Sequence, residues 1–74
     1  MAVHIGKMIK DELERQERTV TWFADKLSCS RANIYNIFER DNIDIVLLVR
    51  ISRILRRNFL KELAEEMVLP SNKL

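Results

Sequence analysis

Apolar residues recur along this chain at helical spacing, in five short blocks separated by polar capping residues. In the first block Ile5, Met8, Ile9 and Leu13 fall three or four residues apart. Lys7, Lys10, Asp11, Glu14 and Arg15 take the other side, with Lys10 and Glu14 spaced for an i, i+4 ion pair. The pattern predicts an amphipathic helix over residues 3–16. Thr19 has the hydroxyl of an N-cap, which accepts from a free backbone N–H. Phe23, Ala24 and Leu27 then give an apolar face to a short second helix, residues 20–27. Ser28-Cys29-Ser30 breaks the pattern. Ser30 caps a third helix, residues 31–38, whose inward side chains are Ile34, Ile37 and Phe38. Residues 39–43 read as a polar loop.

Asp44 caps a fourth helix, residues 45–56, with Leu48, Ile51 and Leu55 on one face. The run from Ile43 to Val49 also suits a buried strand. The helical periodicity continues through Arg56, which is long for a strand, and a lone strand would have no pairing partner. Asn58 caps a fifth helix, residues 59–67, with Phe59, Leu60, Leu63 and Met67 apolar. Pro70 stops any helix there, and residues 70–74 are expected to be loose. Residues 1–69 therefore read as one all-α domain.

Composition narrows the chemistry. The chain has 74 residues with one Gly, one Pro, one Cys and one His. A single Cys makes no internal disulfide, and one Cys with one His cannot build a four-ligand zinc site. Stability must come from packing, which suits well-formed helices with few Gly and Pro. Hydrophobic content of 47% beside 32% charge is that of a folded soluble chain, not a disordered tail. No apolar run is long enough to cross a membrane, and no signal-peptide pattern opens the chain, so a cytoplasmic location is expected. Gly6 stands alone, so there is no glycine-rich phosphate loop. A triad would have to use His4, near an N-terminus expected to fray, and His4 reads as a surface residue. No catalytic constellation, metal site, cofactor or small-molecule pocket is expected.

The junction of the second and third helices is the informative feature. Two short helices joined by a three-residue turn make a helix-turn-helix, residues 20–39. Its geometry wants apolar side chains in the angle between the helices, and Phe23, Leu27, Cys29, Ile34 and Ile37 stand there. Where the backbones approach, a small residue is needed, and Ala24 supplies it. Ser28 occupies the turn position that usually adopts a left-handed conformation and is usually glycine. A left-handed Ser28 costs about 1 kcal/mol.

The stretch Phe23-Ala24-Asp25-Lys26-Leu27-Ser28-Cys29-Ser30, with Ile34 after it, resembles the phage-repressor/Cro class of regulators, the XRE family. Leu48, Ile51, Ser52, Leu55, Phe59 and Leu63 are similar to that family's fourth and fifth helices, and Ile9 and Leu13 to its first. The resemblance spans about residues 4–67. It implies a compact five-helix lambda-repressor-like DNA-binding domain. The third helix would lie in the major groove while the second crosses the backbone.

The family's base-reading positions map onto Arg31, Ala32, Tyr35 and Asn36, which point outward if Ile34 and Ile37 point inward. Arg31 suits guanine O6 and N7, Asn36 suits adenine N6 and N7, and Ala32 suits a thymine methyl. Tyr35 offers a ring and a donor tip. Phosphate contacts are expected from Thr21 at the start of the second helix, from Trp22 through its indole N–H, and from Asn33, Arg40 and Asn42. Two departures bear on affinity. Val20 stands where the family often has a phosphate-binding Gln. Arg40 stands where it often has Gly, between the carboxylates of Glu39 and Asp41.

The net charge of +2 is unevenly spread. Residues 31–57 carry six positive and three negative charges, so the presumed DNA-facing half is net +3. Arg50, Arg53 and Arg57 are expected along one face of the fourth helix. Such a modest charge predicts weak non-specific binding by a monomer. Double-stranded DNA is the expected partner, bound by a weak homodimer joined through Phe59, Leu60, Leu63 and Met67. The rival reading is a small protein-interaction module, adaptor or antitoxin-like, on the same fold. A membrane-lying helix is disfavoured by Glu62, Glu65 and Glu66.

Overall fold

In a computed structural model, residues 4–66 form five α-helices with no strand among them. These are α1 (Ile5–Arg15), α2 (Val20–Leu27), α3 (Arg31–Glu39), α4 (Ile45–Leu55) and α5 (Phe59–Glu66). The tail at 70–74 and the interface residue Met67 lie outside the described residues. Helix order and ends follow the hydrophobic pattern to within two residues.

Side chains start four of the helices. Thr19 Oγ1 accepts from Trp22 N–H at 3.0 Å, and Ser30 Oγ from Asn33 N–H at 3.2 Å. Asp44 Oδ1 accepts from Leu47 N–H at 3.1 Å, and Asn58 Oδ1 from Lys61 N–H at 3.0 Å. Each satisfies a donor the helix itself leaves unpaired. His4 does the same for α1: its Nδ1 accepts from Lys7 N–H at 3.1 Å. It is an exposed capping residue rather than a bystander of a frayed end.

Three helices are ended by a left-handed residue that is not glycine. Glu17, Ser28 and Arg56 all take left-handed backbones, with φ of 58°, 58° and 57°. Ser28 was expected there; Glu17 and Arg56 were not, because long charged side chains carry no turn signal. The only glycine in the chain sits elsewhere, where α1 crosses the end of α3. Gly6 N–H donates to the Arg40 carbonyl at 2.9 Å. A Cβ on Gly6 would collide with the carbonyl oxygens of Ile37 and Phe38 and stand 2.6 Å from that of Arg40. The glycine sets how closely α1 can approach α3.

Helix α1 packs on α3, α2 on α3 and α4, and α4 on α5. The shared core contains Ile9, Phe23, Ile34, Leu48, Ile51, Leu55 and Phe59. Phe59 is 0% exposed, so it cannot serve a dimer interface as expected: its ring closes the core between α4 and α5. Leu60 and Leu63 remain half-buried. Cys29, expected as core, is also only half-buried, at the edge of the cluster.

One charged group is buried in this core. Glu12 is 2% exposed, and its carboxylate accepts from Arg15 Nε at 3.0 Å, Gln16 Nε2 at 2.6 Å and Arg57 at 2.8 Å. Arg57 also donates to Glu62 at 2.6 Å, and Gln16 to the Leu55 carbonyl at 2.7 Å. The cluster ties α1 to the α4–α5 junction. Arg57 is thus a structural residue beyond the end of α4, not part of an arginine face on it. On the solvated side of α1 the ion pair is Lys7–Asp11, at 3.4 Å; Lys10–Glu14 does not form.

The Arg15 guanidinium, helped by Gln16 and Arg57 and opposed by burial, holds the Glu12 carboxyl well below its usual range, at about 2. A folded-state value below the unfolded one stabilises the fold above the unfolded value of 4.5, and that stabilisation is lost as pH falls toward 2. Its size is on the order of 2–3 kcal/mol. Glu12→Gln is therefore expected to lower the urea midpoint at neutral pH and to flatten its decline between about pH 4.5 and 2. A variant whose midpoint tracks the parent across that range would show that the carboxylate's charge contributes little.

Candidate nucleic-acid interface

The turn between α2 and α3 decides what α3 can present. Ser28, with φ 58° and ψ 47°, ends α2, and Cys29 N–H returns to the Ala24 carbonyl at 3.0 Å. Ser30 then restarts the chain as α3. Ile34 and Ile37 are buried, and Phe38 nearly so. With those three inward, helical geometry leaves Arg31, Ala32, Tyr35 and Asn36 outward, and all four are exposed. Tyr35 is 56% exposed, a large value for an aromatic ring. Its ring meets Phe38 edge-on with centroids 6.2 Å apart, a contact that steadies the ring.

The residues expected at phosphates are not all brought together. Asn33 and Arg40 share with Asn36 a concavity of about 270 Å³ that also reaches Ser28 and Cys29. Thr21, Trp22 and Asn42 do not line it. Thr21 is exposed in the first turn of α2. There the helix start leaves backbone N–H groups for an anion. Trp22 is half-buried at the edge of the core, with the Arg18 guanidinium 4.4 Å from its ring centre. That stacking puts a cation beside the start of α2 which the sequence pattern gave no reason to place there. Asn42 is exposed in the α3–α4 loop, and its amide lies 3.4 Å from Asp41 Oδ1.

Arg50 was missed as part of this site. It read as one of a series on α4, but its guanidinium donates to the Leu27 carbonyl at 3.1 Å and lines the same concavity as Arg40. The available signal was its place one turn from Leu47, on the edge of α4 that faces the end of α2. Two arginines and two asparagines therefore surround one depression beside α3, and no carboxylate lines it. Such a surface attracts anions. Glu39 and Asp41 flank Arg40 in sequence and are exposed, which weakens the field there.

No three His, Cys, Asp or Glu side chains among the described residues gather as metal ligands. No helix among them is long and apolar enough to cross a membrane. Among the described residues the protein is all-α, and the concavity beside α3 carries two arginines and no carboxylate. No family model, curated protein or solved structure matches it.

Proposed function

We propose that the chain is a sequence-specific DNA-binding regulator with a lambda-repressor-like helix-turn-helix, of the phage-repressor/Cro type. The observation that carries this reading is the exposed face of α3. Arg31, Ala32, Tyr35 and Asn36 stand outward from a helix whose other face is anchored by Ile34 and Ile37. In this reading α3 enters the major groove. Arg31 reads a guanine, Asn36 an adenine, and Ala32 a thymine methyl, with Tyr35 at a base or a phosphate. Backbone phosphates are met by the start of α2 at Thr21 and by Asn33, Arg40 and Arg50 around the concavity; Arg18 and Trp22 lie close to the start of α2. Leu60 and Leu63 are the apolar residues left for a weak dimer on DNA, since Phe59 is in the core.

Arg31→Ala is expected to weaken binding to the preferred site by roughly 1–3 kcal/mol and to relax selectivity at one base pair. Site selection from a random duplex library, followed by salt titration, measures both. Affinity should fall steeply with salt, in proportion to the phosphates neutralised. Absence of binding at micromolar protein in roughly 50 mM salt would overturn the regulator reading, because the electrostatic term is strongest there. The second reading, a protein-interaction module, is favoured by one observation: Ile45 and Val46 are exposed on α4.

A further inference from the structure

The outward side of α4 carries apolar surface that no described residue covers. Ile45 is 62% and Val46 72% exposed. Val49 lies one turn beyond Ile45, is half-buried, and lines an open concavity of about 400 Å³ with Leu60 of α5. Residues 45, 49 and 53 follow one another at steps of four, so they form one stripe along the helix, and Arg56, just past its end, borders the same concavity. The stripe's second half is cationic. Arg53 and Arg56 are exposed and border the concavity, and no carboxylate among the described residues pairs with either. The concavity also contains Ser52, whose hydroxyl oxygen is buried without a hydrogen-bond partner.

We propose that this stripe docks an acidic amphipathic helix of another protein. Apolar side chains of such a helix, spaced three or four apart, would cover Ile45, Val46, Val49 and Leu60. Carboxylates flanking that row would meet Arg53 and Arg56. A second copy of the chain fits less well. Two-fold pairing of the stripe with itself brings arginine toward arginine, since α4 from Ile45 to Leu55 carries no carboxylate. An acidic helix supplies one carboxylate to each arginine. The surface shares no residue with the exposed face of α3; it shares Leu60 with the proposed dimer, so peptide binding and dimerisation compete at that residue.

The test uses the full chain, isotope-labelled for amide NMR. The probes are a synthetic leucine-based amphipathic helix with flanking glutamates and its lysine counterpart. The acidic peptide is expected to shift the amides of Val46, Val49, Ser52, Arg53 and Leu60 and to spare those of α3. The lysine peptide should leave the spectrum unchanged. The double variant Arg53→Glu, Arg56→Glu should bind the acidic peptide about five- to tenfold more weakly, the scale of two exposed ion pairs. Its melting temperature should stay near the parent's, because both side chains are exposed. Arg31→Ala should bind the peptide as the parent does. Equal binding of both peptides, shifts centred on α3, or no shift at millimolar peptide would each overturn the proposal. So would α4 shifts that appear on concentrating the chain alone, which would assign the stripe to a second copy.

Discussion

Gly6→Ala is expected to destabilise the chain by about 3 kcal/mol, although helix propensity alone favours the alanine by up to about 1 kcal/mol. The sign reverses because of what lies opposite. The added Cβ meets the carbonyl oxygens of Ile37 and Phe38 and comes within 2.6 Å of that of Arg40. All three are backbone atoms at the end of α3, so no rotamer change makes room. Either α1 lifts away from α3 or the last turn of α3 moves. Both lose the Gly6 N–H bond to the Arg40 carbonyl and open the core around Ile5 and Ile9. For a domain of this size the loss corresponds to a fall of roughly 10–20 °C in melting temperature. Thermal melting followed by circular dichroism reads it directly. An unchanged or raised midpoint would show that the crossing has slack.

Phe59→Ala is expected to cost about 3–5 kcal/mol, the range for removing a buried aromatic ring. Phe59 is fully buried at the start of α5, with the Arg57 guanidinium 4.9 Å from its ring centre. Its loss leaves a cavity in the shared core and loosens the attachment of α5 to α4. Leu60→Ala, at a half-buried position, is expected to cost about 1 kcal/mol, because less apolar area is removed from the core. Urea unfolding at two protein concentrations separates core from interface. If the Phe59→Ala deficit is the same at both, the ring belongs to the monomer's core. A deficit that appears only at high concentration would put the ring in a contact between chains.

Much of the helical layout was legible because its signals are local. Thr19, Ser30, Asp44 and Asn58 cap the helices that follow them, since a capping hydroxyl or carbonyl needs only the N–H three residues on. Ile34 and Ile37 turn inward together because their spacing follows one helix face. Ser28 takes the left-handed conformation because a three-residue turn between helices demands one there. The outward position of Arg31, Ala32, Tyr35 and Asn36 follows from the same periodicity.

What the sequence left open depends on partners distant along the chain. Glu12 carries no signal in the helical pattern of α1; its carboxylate is buried with Arg15 and Gln16 and with Arg57, 45 residues later. Arg57 looked like part of an arginine face; the left-handed Arg56 ends α4 and turns Arg57 back toward Glu12 and Glu62. Phe59 and Leu60 are both apolar and adjacent, and only the docking of α5 on α4 buries one ring completely. Arg50 joins Arg40 at one concavity because α2 packs on α4. Sequence by itself determined five helices, their caps and the face α3 shows to solvent, all consequences of contacts within a few residues. Tertiary structure decided which charges are buried, which apolar residues are spare and why the single glycine stands at residue 6. Those depend on how closely one backbone approaches another, and residue types along a line do not encode that distance.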